Sequence, residues 1–136
     1  MDFLKMLVNK STEVIDHNAT LKTAAQMMRD RKIGSLIVTK DGKEIGIVSE
    51  TDVARKAVAE SLNPEQTRIS SIMSSPIISI EITESPERAN DLMKENGIRH
   101  LGVTEKGKFV GIVSVRDLLR YFKVYYDGIG TLKSKK

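Results

Sequence analysis

A mixed α/β (α+β) fold built from one β-α-β-β-α unit used twice is what this sequence predicts, on three observations. The corner motif Gly46-Ile47-Val48-Ser49-Glu50-Thr51-Asp52 returns as Gly111-Ile112-Val113-Ser114-Val115-Arg116-Asp117. At the same offset, identity extends well beyond the motif, through Ala24/Ala89, Met28/Met93, Ile33/Ile98, Leu36/Leu101, Val38/Val103, Gly42/Gly107 and Arg55/Arg120. Hydrophobic spacing also switches between helical and extended in the same order in both halves. A repeat at a fixed offset marks a unit that buries its core against the other copy.

The elements follow in order. Met1 to Val8 reads as a short helix, with Asp2 as N-cap before Phe3, Leu4, Leu7 and Val8. Glu13-Val14-Ile15 is extended. From Thr20, the residues Leu21, Ala24, Ala25, Met27 and Met28 share one helical face. Ser35 to Thr39 and Glu44 to Val48 read as strands joined at Asp41-Gly42, a dipeptide suited to a positive-φ hairpin turn. A helix from Ser49 towards Ser61 is closed by Asn63-Pro64.

The second half repeats this sequence of signals. Ser85-Pro86-Glu87 combines an N-cap, a proline at the first helical position and an acid in the first turn, and Gly97 is the left-handed cap at the other end. Leu101 to Thr104, the turn at Lys106-Gly107, Phe109 to Val113 and a helix from Ser114 to about Tyr126 complete the unit. Between the copies, 63–75 reads as a linker with a turn of helix at Ile69 to Met73, and Lys133-Ser134-Lys135-Lys136 as a frayed end.

Composition narrows the function classes. The chain has 136 residues, enough for a real core, whereas half of it alone is marginal. Without cysteine there are no disulfides, no thiolate chemistry and no Cys-based metal sites. His17 and His100 lie far apart in the pattern, and no acid pair stands outside the repeated corners. Neither a metal cluster nor a nucleophile triad can be assembled, so the expectation is no enzyme. Met1 to Val8 is too short and wrongly flanked for a signal peptide, and no stretch approaches the ~20 apolar residues of a membrane span. The expected place is the cytoplasm, with no membrane contact. Asn9-Lys10-Ser11 and Asn18-Ala19-Thr20 match the glycosylation pattern without any sign of secretion. A net charge of +4, partly in the Lys-rich end, is thin support for nucleic acid.

The order of elements, the paired Gly-hydrophobic-hydrophobic-Ser-x-x-Asp motifs and the segment Ile98-Arg99-His100-Leu101 resemble a tandem pair of CBS (cystathionine beta-synthase) domains, a Bateman module, over nearly the whole chain. The resemblance implies a single module over 1–136, with CBS repeats at 8–62 and 73–127 and a basic tail at 128–136. It also implies pseudo-two-fold packing, ligand clefts between the repeats and a homodimer. Its implied ligand is an adenine nucleotide (AMP, ADP or ATP), with S-adenosylmethionine or NAD as alternatives. Its implied role is regulatory, here towards a separate protein in trans.

The corner residues have two compatible readings. In the structural one, Ser49/Asp52 and Ser114/Asp117 are capping boxes, each serine bonding the N–H three residues on while the acid reaches back. In the functional one, carried over from the resemblance, Asp52 and Asp117 accept from ribose hydroxyls while Ser49, Ser114 and the helix start take a phosphate or sugar oxygen. Arg99 and His100 are simply an exposed strand end or, as the resemblance implies, contacts for phosphates, to which Arg116 inside the motif adds another. Their counterparts Gly34, Ser35 and Thr51 are uncharged, so the Asp117 corner favours a phosphorylated ligand and the Asp52 corner, with Ser35, a neutral adenosyl group or nothing. Arg31 and Lys32 are weaker candidates there. Ile15, Ile80, Ile33 and Ile98 are either walls for an adenine or core. Two rival functions stand beside the sensor. One is a ligand-free dimerisation scaffold using Val53, Ala57, Leu118, Leu119 and Phe122. The other is nucleic-acid binding, against which the scarcity of aromatics weighs.

Overall fold

In chain order the computed structural model runs α1 (Phe3–Leu7), β1 (Val14–Asp16), α2 (Leu21–Arg31), β2 (Ser35–Lys40), β3 (Lys43–Ser49) and α3 (Glu50–Asp52). α3 continues directly into a π-helical stretch, Val53–Val58, and a 3-10 turn follows at Ile69–Ser71. Then come β4 (Ser79–Glu81), α4 (Pro86–Asn96), β5 (His100–Glu105), β6 (Lys108–Ser114) and α5 (Val115–Ser134). The structure describes residues 3–10 and 12–134, with 128–134 described by backbone only. The Asp2 cap and the end of the Lys-rich tail, Lys135-Lys136, lie outside the described residues. The chain divides into two units, Thr12–Ile77 and the residues on either side of that span.

In the first unit the sheet order is β1-β2-β3, with β1 parallel to β2 and β2 antiparallel to β3. The second unit repeats this as β4-β5-β6. Even the irregularity is duplicated, since the register shifts between Val38 and Thr39 and again between Val103 and Thr104. Both hairpins close through two consecutive positive-φ residues, Asp41 (φ 52) with Gly42 (φ 77) and Lys106 (φ 52) with Gly107 (φ 79). That twist matches the strands it joins.

Local signals explain the helix limits. Thr20 accepts from the Thr23 N–H at 3.2 Å at the start of α2, and Ser85 from the Arg88 N–H at 3.0 Å at the start of α4. At the far ends Lys32 (φ 54) and Gly97 (φ 62) take the left-handed cap through their backbone. Leu21, Ala24 and Met28 face the first core, and Ala89 and Met93 the second.

Three expectations are corrected. The helix after Ser49 is only briefly α-helical before it widens into the π-helix at Val53–Val58. Its counterpart does not end near Tyr126 but continues as α5 to Ser134, through Lys133-Ser134 that had been expected to fray. The supposed linker at 63–75 is part of the first unit, because Ile69 and Ile72 are fully buried in its core.

That last point has a counterpart at the N-terminus. Leu4 of α1 is fully buried in the second unit's core, among Ile80, Leu101 and Leu118. Asn9 pairs with Ile112 on the open edge of β6, at the repeat positions where Ser74 pairs with Ile47 on β3. Each bridge has two backbone hydrogen bonds, at 2.8 and 3.1 Å for Asn9 and Ile112, and at 2.8 and 3.0 Å for Ser74 and Ile47. The hairpin of each unit is thus finished by the segment that precedes the other unit in sequence, and an open strand edge is covered. Gly46 and Gly111 sit beneath these segments. A Cβ on Gly46 would lie 2.8 Å from both Met73 Sδ and the Ser74 carbonyl oxygen, and one on Gly111 would collide with the Asn9 carbonyl oxygen. Close approach accounts for the repeated glycine.

Candidate functional site

The duplicated corner is where a buried strand hands over to a helix. β3 and β6 end in residues that fill the two cores, so Ser49 and Ser114 emerge at the strand ends, half-buried. The sheet register places Ser35 opposite Ser49 and His100 opposite Ser114. The Glu50 N–H donates to the Gly34 carbonyl at 3.0 Å, and the Val115 N–H to the Arg99 carbonyl at 2.8 Å. Each helix start is thereby fastened to the segment entering the middle strand. The structure brings together Ser35, Ser49 and Asp52 in one unit, and Arg99, His100, Ser114 and Asp117 in the other.

Both serine–aspartate pairs form the capping box. Asp52 Oδ2 accepts from the Ser49 N–H at 2.9 Å and from Ser49 Oγ at 3.1 Å, while Ser49 Oγ accepts from the Asp52 N–H at 3.2 Å. The second corner repeats this at 2.8, 2.9 and 3.2 Å. Both carboxylates therefore turn one oxygen back onto their own backbone, and the structural reading holds for Oδ2 in each.

The second oxygen separates the copies. Asp52 Oδ1 pairs with Lys56 Nζ at 2.9 Å, and the Asp52 side chain is 10% exposed. At the position matching Lys56 stands Tyr121, whose ring lies 5.3 Å from those of Phe3 and Phe122. Burial, then the nearby Glu87 charge, raises the Tyr121 hydroxyl above its ordinary value. Tyr121 brings no cation, and among the described residues Asp117 Oδ1 has neither an ion pair nor a hydrogen bond. Arg99 and Arg116 are exposed, and no carboxylate among the described residues pairs with them.

The other candidates separate by burial. Ile15 and Ile80 are 5% and 4% exposed and belong to the two cores, so their side chains offer little wall to a ligand. Ile33 and Ile98 are half-buried at the core margins. Arg31 is paired with Glu13 at 2.8 Å. Of the proposed docking residues, Ala57 and Leu118 are also core, fully buried or nearly so, while Leu119 stays exposed. Lys56 was not among the residues singled out from sequence. A lysine four residues after an acid on a helix is a recognised pairing, and its replacement by tyrosine in an otherwise matched repeat was the available signal.

A family model for the CBS domain matches residues 4–59 and 69–124. The chain belongs to the CBS-domain family. An uncharacterized protein of Methanopyrus kandleri is 37% identical over 98 residues, which cover 71% of this chain but only 50% of that protein. The chain thus spans about half the length of that relative. A solved structure of a protein with CBS domains from Burkholderia ambifaria superposes with a TM-score of 0.79 at 31% identity, covering 83% of each chain. A hexameric CBS-CP12 protein from bloom-forming cyanobacteria gives a TM-score of 0.78 at 28% identity, over 85% of this chain and 65% of that one. CBS domains are typically regulatory, ligand-binding modules, and the two corners are the repeated motif of the pair. Among the described residues no group of His, Asp or Glu is placed to hold a metal ion, and no helix is long and apolar enough to cross a membrane.

Proposed function

We propose that this CBS pair is a cytoplasmic regulatory module that binds an adenine nucleotide of the AMP, ADP or ATP class at the Asp117 corner and signals to a separate protein. It binds rather than catalyses. The observation that carries the reading is the divided use of the Asp117 carboxylate: Oδ2 holds the cap while Oδ1 has no partner among the described residues, at the start of a 20-residue helix. An anionic acceptor in that place suits the paired hydroxyls of a ribose. Exposed Arg99, whose carbonyl accepts from the Val115 N–H at that helix start, and Arg116, in the first turn, supply cations for phosphates, and half-buried Ile98 supplies apolar surface for a base.

Signalling requires that the ligand bind one arrangement of the protein more tightly than another, and a partner then reads the shift. Calorimetric titration with AMP, ATP, S-adenosylmethionine and NAD tests the reading. Binding of at least one of the nucleotides below millimolar concentration supports it. Failure of all four refutes it.

A scaffold reading is favoured by a different observation. On α5, Leu119, Val124, Tyr125 and Tyr126 are 62%, 73%, 52% and 63% exposed. Aromatic and aliphatic surface of this kind is typical of association faces, and homodimerisation through it is compatible with sensing. Light scattering reports the association, and the titration separates sensor from scaffold.

A further inference from the structure

We propose that Lys56 closes the first corner, so that the chain carries one sugar-binding carboxylate rather than two. The inference rests on the sugar reading of the Asp117 corner and narrows it. Lys56 Nζ lies 2.9 Å from Asp52 Oδ1, 3.3 Å from the Ile72 carbonyl oxygen and 3.5 Å from Ser74 Oγ. With Oδ2 already accepting from Ser49, both oxygens of Asp52 are in use. A ribose would have to displace an ammonium from a carboxylate that is largely out of water, where such a pair is weakened less by solvent than one on the open surface.

The local backbone favours this arrangement. Past Asp52 the helix follows the wider i→i+5 pattern, seen in the Ala59 N–H to Ala54 carbonyl and Leu62 N–H to Ala57 carbonyl bonds, both at 3.0 Å. Ile72 and Ser74, Lys56's other two partners, belong to the segment that covers β3. Lys56 therefore joins the acid, the helix and the covering segment at one point. In the second unit the matching helix is regular and carries Tyr121 at this position, turned to Phe3 and Phe122. The first corner also has no counterpart to the charges of Arg99 and Arg116, since Gly34 and Thr51 stand in their places. Lys56 thereby limits the module to one open sugar-binding carboxylate.

The test is stoichiometry by calorimetry, with AMP for the native chain and adenosine, which has the ribose and no phosphate, for the opened corner. The native chain is expected to bind one AMP. Asp52→Asn leaves that affinity within about two-fold, and Asp117→Asn weakens it by ~10-fold or more, the usual scale for losing charged hydrogen bonds. Lys56→Met keeps the apolar stem, frees Asp52 Oδ1 and is expected to add a second site for adenosine. Circular dichroism melting of each variant establishes that it folds. Two AMP per native chain, equal losses from the two asparagine variants, or no second site in a folded Lys56→Met protein would each overturn the role of Lys56 while leaving the sugar reading standing. If no form binds AMP, adenosine, ATP, S-adenosylmethionine or NAD, the sugar reading falls and this inference with it.

Discussion

Gly111→Ala isolates the contact by which the N-terminal segment completes the second unit. Gly111 does not have a left-handed φ, so alanine brings no backbone strain and the effect is steric. The new methyl would meet the Asn9 carbonyl oxygen, with Val8 Cγ2 also 2.8 Å away. There are two ways out. If the segment comes off, the protein loses two bridge hydrogen bonds, at roughly 0.5–1.5 kcal/mol each, and the burial of Leu4, at roughly 1.5–3 kcal/mol, for a total of roughly 2.5–6 kcal/mol. If the segment shifts and stays, the cost is that of overpacking, about 1–3 kcal/mol. The cheaper route sets the outcome, so a loss of about 1–3 kcal/mol is expected in urea unfolding, with faster hydrogen exchange at the Asn9 and Ile112 amides. Gly46→Ala should cost less, because one of its two nearest obstacles is the flexible end of Met73. A Gly111→Ala protein within ~0.5 kcal/mol of the native one, with Asn9 and Ile112 still protected, would refute the account.

Further outcomes follow from the caps, the core and the acids. Ser85→Ala removes the hydroxyl that accepts from the Arg88 N–H and should cost about 1 kcal/mol in a denaturant melt. Leu4→Ala should cost roughly 2–5 kcal/mol, as for a core leucine, although the residue lies near the start of the chain. Glu81 accepts from Thr104 Oγ1 at 2.6 Å and from the Lys106 N–H, and these bonds hold its carboxyl below the ordinary value of 4.5. Its stabilising contribution is therefore present above pH 4.5 and is lost as pH falls through the lower folded value. Glu81→Gln should flatten the acid side of the stability curve, and a wild-type slope in the variant would exclude Glu81 as its source. Asp117→Ala should weaken nucleotide binding by ~10-fold or more while lowering stability by only about 1 kcal/mol. The reverse ratio would leave capping as its whole role.

What the amino-acid sequence determined by itself was the local and the repeated. Two β-α-β-β-α units, their turns at Asp41-Gly42 and Lys106-Gly107, and the caps at Thr20, Ser85, Gly97 and both corner serines are written in neighbouring residues, because turn and cap chemistry reaches only three or four positions along the chain. The asymmetry of charge around Asp117 was legible too, through Arg99 and Arg116. Tertiary structure alone decided which segment completes which unit, since no local preference distinguishes a covering segment from a linker until Ile72 and Leu4 find their cores. It also turned Ile15 and Ile80 inward, because a single extended residue has no sidedness before the sheet pairs. And it set Lys56 against Asp52 while Asp117 Oδ1 has no partner among the described residues, because Tyr121 at the matching position turns its ring to Phe3 and Phe122.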